Sequence, residues 1–154
     1  MQISTTHAFP QPVDAAFTML LDPEFLDAVC AATHPIEYRV FAEGLRTGAR
    51  RVMQSPSVIQ RFTGPTLTVA DEIQWDAAAS GQTRTGTTTV TVEGMPVRLS
   101  GRVTLAPQGS GSALAYDGDL TVSIPLVGPG LERQAAPLLL EALAVQSGVA
   151  QTWG

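Results

Sequence analysis

Residues 121–146, TVSIPLVGPGLERQAAPLLLEALAVQ, decide the fold of this 154-residue chain. The first three residues end a strand-like segment, and apolar side chains recur at helical spacing over 130–146, after the turn Gly128-Pro129-Gly130. One face of the predicted helix carries an apolar row formed by Leu131, Ala135, Leu138, Ala142 and Val145, which Leu139, Leu140 and Leu143 extend. The segment therefore predicts a last strand followed directly by a long amphipathic helix.

The glycine-rich turn has only part of a phosphate-binding signature. A dinucleotide-binding fingerprint requires a third glycine, where this chain has Arg133, and a further strand after the helix. Pro129 also lacks the backbone N–H that a phosphate would need. We therefore predict a hinge in which Gly128 and Gly130 adopt positive φ, with Pro137 either kinking the helix or marking its first turn.

The rest of the chain divides by periodicity into short helices and strands. Two short helices are predicted at 12–21 and 22–33, the second with Asp22 as its N-cap. Alternating apolar and polar residues predict strands at 2–8, 36–43, 47–54, 67–76, 82–93, 97–106 and 112–123. Residues 55–64 are predicted to be irregular with one helical turn near 57–62, and residues 148–154 to fray. Because the turns between the later strands are short, we expect antiparallel neighbours.

Composition limits the class of protein. With 44% hydrophobic and 15% charged residues, the chain is expected to form one globular domain over residues 1–154. The net charge of -5 argues against a nucleic-acid-binding surface. Cys30 is the single cysteine, which excludes an intrachain disulfide, and no window approaches the roughly 20 apolar residues of a membrane span. A signal sequence is not visible either, so we expect a soluble cytoplasmic protein.

The order of elements carries a resemblance to a known superfamily. It resembles the helix-grip fold of the START-like superfamily, which includes polyketide cyclases, lipid-transfer domains and plant pollen allergens, and within it an actinobacterial family of unassigned function. The resemblance covers nearly the whole chain, through FPQPVDAAFTMLLDPEFLDAVCAATH (9–34), LTVADEIQW (67–75), TRTGTTTVTVEGMPVRLSGRVTLAP (83–107) and TVSIPLVGPGLERQAAPLLLEAL (121–143). It implies an α+β fold, in which a curved antiparallel sheet of about seven strands wraps around the C-terminal helix. These motifs are specific for the fold and carry little information on function.

A curved sheet crossed by an alanine-rich helix leaves room for a cavity, unless leucines and valines fill it as an ordinary core. Strand alternation and the helix face nominate residues that would line this space. The candidate ligand-binding residues are Tyr38, Arg51, Met53, Asp71, Ile73, Trp75, Val90, Leu99, Tyr116, Leu138 and Ala142.

Asp71 is the unusual member of this set, because a carboxylate on an inward row is costly unless it is paired. It is expected to be a rim residue, a partner of Arg51 or a polar contact for a ligand, unless a bulge or an exposed strand end turns it outward. The hydroxyls of Tyr38 and Tyr116 either orient a ligand or satisfy backbone carbonyls.

Signs of catalysis are weak. His7 and His34 have no carboxylate at metal-ligand spacing, and Cys30 on an apolar helical face is expected to be a packed, inert thiol. We expect no cofactor and no metal. The leading hypothesis is binding or carriage of a small hydrophobic molecule such as a lipid, isoprenoid or polyketide. The alternatives are a cyclase, dehydratase or hydrolase using Asp71, Tyr38, Tyr116, Arg98 or Arg51, and a protein-interaction module that uses the exposed sheet or residues 55–64.

Overall fold

The computed structural model describes residues 1–79 and 81–153, and within them the chain forms a seven-stranded antiparallel sheet and four helices. The strands are β1 (Gln2–Phe9), β2 (Glu37–Glu43), β3 (Arg46–Gln54), β4 (Thr66–Trp75), β5 (Arg84–Val92), β6 (Val97–Gln108) and β7 (Gly111–Val122). The helices are α1 (Val13–Leu20), α2 (Pro23–Ala32), α3 (Gln60–Thr63) and α4 (Gly128–Gln151). The predicted class and order of elements are confirmed.

The sheet has the order β1-β7-β6-β5-β4-β3-β2, so β2 to β7 form the predicted meander and β1 joins beside β7. The sheet is curved. Gly101 and Gly118 face each other in β6 and β7, and a Cβ on Gly101 would lie 2.1 Å from the Asp117 carbonyl oxygen. Only glycine permits two backbones to approach this closely, as a bend in a sheet requires. Strand β6 runs past its predicted end at 106, which reduces the hairpin loop to Gly109-Ser110.

Helices α1 and α2 meet at the predicted Asp-Pro corner. The Asp22 carboxylate accepts a hydrogen bond of 2.9 Å from the Glu24 backbone N–H, which satisfies one free donor at the start of α2. Helix α1 packs on β6 and β7, and α2 packs on β2, β3 and α4. Helix α2 borders the space beneath α4, whereas α1 covers the packed core around Trp75.

The connection into α4 differs from the prediction. The helix begins at Gly128, and the residue with positive φ is Leu126 (φ 72), whereas Gly128 and Gly130 are not in the left-handed region. Gly128 is required for a different reason, because a Cβ there would lie 2.3 Å from the Val122 carbonyl oxygen. Pro137 lies inside the helix, so the proposal that it marks the first turn is wrong.

The predicted fraying of residues 148–154 is also wrong for its described part. Helix α4 continues to Gln151, and the Trp153 ring packs edge-on against Phe25 of α2 at a centroid distance of 5.3 Å. The Gln11 side chain donates hydrogen bonds to the carbonyls of Ala150 (2.9 Å) and Trp153 (3.3 Å). Among the described helices, none is both long and apolar enough to cross a membrane.

Candidate functional site

A cavity of about 360 Å³ lies between the sheet and α4, and α2 closes one side of it with Leu26 and Val29. Most of its wall is aliphatic, formed by Leu67, Val69, Ile73, Val90, Val92, Val97, Leu99, Leu120, Leu138, Leu139 and Leu143. The space remains open because α4 presents the small side chains of Ala135 and Ala142 toward it. The predicted cavity is therefore present and mainly apolar.

Two charged residues face this space from neighbouring strands. Ala49 of β3 pairs with Asp71 of β4, and Arg51 pairs with Val69, so Arg51 and Asp71 are diagonal neighbours on the inward face. Arg51 Nη1 lies 3.1 Å from Asp71 Oδ2, and the two side chains are only 16% and 28% exposed. Of the roles considered for Asp71, the pairing with Arg51 is confirmed. Burial raises the pKa of the Asp71 carboxyl, although Arg51 and the Ala49 backbone N–H oppose that rise.

The Cys30 thiol is a third member of this polar cluster. Arg51 Nε donates a hydrogen bond to Cys30 Sγ at 3.2 Å, and Cys30 is 1% exposed. Burial raises the pKa of the thiol, with Arg51 acting in the opposite direction. A protonated thiol is a poor nucleophile, so the cluster supports the packed, unreactive role predicted for Cys30. Its pairing with Arg51 has no signal in the sequence, since the two residues lie on different elements.

Tyr116 and Gln146 form the other polar feature of the cavity wall. Gln146 Nε2 on α4 donates a hydrogen bond to the Tyr116 hydroxyl on β7. Burial raises the pKa of Tyr116 to about 12, so the phenol stays protonated at neutral pH. Of the two roles considered for this hydroxyl, satisfying a backbone carbonyl is not observed, because its partner is a side chain. Gln146 was missed by sequence reasoning because it ends the apolar row without itself being apolar.

Nine of the eleven predicted residues line the cavity, namely Arg51, Met53, Asp71, Ile73, Val90, Leu99, Tyr116, Leu138 and Ala142. Tyr38 does not line it, although it pairs with Arg51 across β2 and β3. A hydrogen bond to the Asp27 carboxylate of α2 raises the pKa of the Tyr38 phenol, which places this hydroxyl beside α2.

Trp75 is likewise absent from the cavity wall. It is 2% exposed and packs edge-on against Phe17 of α1 at a centroid distance of 5.2 Å. The reason is that β4 continues beyond the part of the sheet that faces the cavity, into the core beneath α1. His34 lies in the turn after α2, with φ of 54 and an exposed side chain. Across residues 1–79 and 81–153, no three His, Cys, Asp or Glu side chains group as a metal site would require.

Comparisons with known proteins identify a family and a fold. The model of a family described as "Protein of unknown function (DUF2505)" matches residues 4–153. No curated protein sequence matches the chain.

Several solved structures share the architecture at low sequence identity. The protein TTHA0849 from Thermus thermophilus has a TM-score of 0.64 and 18% identity, covering 97% of this chain and 94% of that one. A STAR-related lipid transfer protein from Xanthomonas axonopodis has a TM-score of 0.61 and 14% identity, covering 97% and 86%. A START superfamily protein from Mycobacterium smegmatis has a TM-score of 0.60 and 18% identity, covering 96% and 94%. The fold is therefore the START-like helix-grip fold predicted from the sequence.

Proposed function

The chain belongs to the family described as "Protein of unknown function (DUF2505)", and on its START-like fold we propose that it binds a small, mostly apolar molecule in the cavity beneath α4. The observation that carries the proposal is the cavity itself. Its volume of about 360 Å³ is within the range of roughly 300–1,000 Å³ that is usual for small-molecule sites. Its wall is aliphatic with a few convergent polar groups, as such sites require.

The Arg51–Asp71 pair favours a ligand without net charge. The two charges lie 3.1 Å apart and compensate each other inside a wall that is otherwise largely aliphatic. A carboxylate or ammonium ligand would compete for one member of the pair and leave the other charge without a partner, which is costly in a buried site. A neutral ligand leaves the pair intact.

The hydrogen-bonding groups favour a ligand with one hydroxyl or carbonyl group. Gln146 Nε2 donates to the Tyr116 oxygen, so the Tyr116 hydroxyl hydrogen is directed elsewhere, and among the described residues no acceptor for it is found. Asp71 also retains lone pairs beyond those that Arg51 and the Ala49 N–H occupy. A ligand hydroxyl could then accept from Tyr116 and donate to Asp71.

The first experiment is native mass spectrometry of the protein purified from its host. We expect a retained small molecule in the wild-type protein. Ala142→Phe should abolish retention because it fills the cavity, whereas Ala144→Phe is the matched control, since Ala144 is an exposed alanine of α4 outside the cavity wall. Repeated absence of any added mass in the wild-type protein would count against the proposal.

The second experiment tests the charge preference with ligands of equal chain length. Nile red, a neutral apolar dye, is bound in the cavity and displaced with 1-dodecanol, dodecanoate or dodecylamine. We expect the alcohol to displace the dye at a concentration at least about tenfold lower than either charged ligand, which corresponds to roughly 1.4 kcal/mol. Equal displacement by all three would contradict a role for the Arg51–Asp71 pair in selecting the ligand.

A further inference from the structure

Large apolar side chains that are exposed lie at one end of the molecule. At this end β3, β5 and β7 finish and β4 and β6 begin; β1 and β2 also begin there, as the pairings Gln2 with Asp119 and Glu37 with Val52 require. We call it the apolar end. Within the described part of the chain, every large hydrophobic residue that is exposed lies here, with exposures from 39% to 101%: Met1, Ile36, Val58, Leu126 and Val127.

The cavity extends to the same end. Pro56 and Ile59, which flank Val58, line it, as does Val97 at the first position of β6. Ala135, in the N-terminal part of α4, lines it from the opposite side. The exposed apolar side chains are therefore next to the end of the cavity that lies between residues 55–65 and the start of α4.

The loops of the apolar end carry two exposed basic side chains, those of Arg61 and Arg133, although the net charge of the chain is -5. The carboxylates of the same region are compensated, since Glu93 accepts hydrogen bonds from Arg50 at 2.9 and 2.8 Å and Glu132 binds the Met1 ammonium at 3.1 Å. Glu37 and Asp119 alternate onto the convex face of the sheet, opposite to Tyr38 and Leu120. The loops at this end thus carry apolar tips and two exposed arginines.

Leu126 has an unfavourable backbone conformation that is not offset by burial of its side chain. It has φ of 72, a region that favours glycine, and its side chain is 101% exposed. A leucine in this position costs backbone strain and gains no burial within the chain. Its side chain is therefore available for contact with another molecule.

We propose that the apolar end docks reversibly on a lipid bilayer that contains anionic lipids. Val58, Leu126 and Val127 enter the headgroup region, and Arg61 and Arg133 contact lipid phosphates. This combination of separate apolar tips and basic residues suits a bilayer, which deforms around each tip and is attracted by the positive charge. Docking in this orientation brings the cavity's end to the membrane. The proposal does not require that the cavity hold a ligand.

The test is co-sedimentation with vesicles of phosphatidylcholine alone or mixed with phosphatidylglycerol, at low and high salt. We expect the wild-type protein to bind the mixed vesicles more tightly than vesicles of phosphatidylcholine alone. High salt should reduce this difference, because it screens the attraction between the arginines and the anionic lipids. Val58→Ser with Leu126→Ser should weaken binding by about tenfold or more. Arg61→Gln with Arg133→Gln should weaken binding to the mixed vesicles only.

Arg102→Gln is the matched control, because Arg102 is an exposed arginine in the middle of the sheet, opposite Asp117 and Thr87. It should leave vesicle binding unchanged, and all variants should retain Nile red binding because none of these residues lines the cavity.

The proposal is overturned if the wild-type protein does not sediment with mixed vesicles at low salt, or if Arg102→Gln weakens binding as much as the paired arginine variant. It is also overturned if sedimentation velocity shows a dimer that the serine variant dissociates, since the apolar end would then join two copies of the chain. A negative vesicle result with intact Nile red binding would reject docking and leave the proposed function standing.

Discussion

Arg51 and Asp71 form an ion pair of 3.1 Å across β3 and β4, inside a cavity whose wall is otherwise largely aliphatic. The sheet register places them diagonally, and Cys30 accepts a further hydrogen bond from the same guanidinium. Each charge is tolerated there because the other is present. Removing the arginine should therefore lower the stability of the fold, and removing the carboxylate should change how that stability depends on pH.

We predict that Arg51→Met lowers the free energy of unfolding at neutral pH, because Asp71 would keep its charge without a partner. The loss should be about 1–3 kcal/mol, below the range for a fully buried pair because both groups have some access to water. Urea denaturation measures it. The control is Arg102→Met at an exposed site, which should change stability by less than about 0.5 kcal/mol. An Arg51→Met protein as stable as the wild type would contradict the pairing.

The stability difference between wild type and Asp71→Asn should also depend on pH. Burial raises the pKa of Asp71 above 3.8, so the folded chain binds this proton more tightly than the unfolded chain. The stabilisation from protonation is complete below about 3.8 and is lost as pH rises through the raised pKa. Wild-type stability relative to Asp71→Asn should therefore decrease as pH rises through that interval.

Glu93 provides the opposite case for the same measurement. Its hydrogen bonds from Arg50 lower the pKa of the Glu93 carboxyl, so its contribution is present above 4.5 and is lost as pH falls. The difference between wild type and Glu93→Gln should therefore shrink toward acid. If the Asp71→Asn difference shrank in the same direction, the raised pKa of Asp71 would be wrong.

Tyr116→Phe should affect both stability and ligand binding. The substitution leaves Gln146 Nε2 without its acceptor, at an expected cost of about 1–2 kcal/mol in urea denaturation. It should also raise the concentration of 1-dodecanol that displaces Nile red by about five- to tenfold, because one hydrogen bond to the ligand is removed. Tyr38→Phe is the control, since Tyr38 does not line the cavity and its loss should leave displacement unchanged.

Trp153→Ala should destabilise the C-terminal end of α4. The ring packs on Phe25 at 5.3 Å and is half-buried, so we expect a loss of about 2–3 kcal/mol and faster hydrogen exchange in the last turns of the helix. The neighbouring exposed Thr152→Ala serves as the control, with little change expected. Unchanged exchange in Trp153→Ala would show that the end of the helix does not depend on this contact.

Much of the architecture could be predicted from local patterns. The change from helical to alternating periodicity after His34 marks the start of the meander, and Asp22-Pro23 marks the boundary between α1 and α2. Alternation also identified most of the cavity wall, including Asp71 and Tyr116. These features depend on side-chain direction along one element, which the periodicity of that element determines.

Other features could not be predicted because they depend on contacts between distant segments. Tyr38 and Trp75 have the inward direction that alternation assigns, yet neither lines the cavity. Tyr38 lies beside α2, and Trp75 packs against α1. Gly128 and Gly130 were predicted to adopt positive φ, whereas Leu126 has it, and Gly128 is required by the close approach of the Val122 carbonyl. The cluster of Cys30, Arg51 and Asp71 combines α2, β3 and β4.

The amino-acid sequence alone determined the identity and order of the helices and strands, and it determined which face of each strand turns inward. These features depend on the spacing of apolar residues along a few helical turns or a single strand. The tertiary structure alone decided how far α4 covers the sheet, which inward side chains face open space and which are packed, and that the exposed apolar residues gather at one end. The physical reason is that burial and pairing depend on positions in space. Residues as far apart in the chain as Ile36, Val58 and Leu126 lie at the same end of the sheet only after the chain has folded.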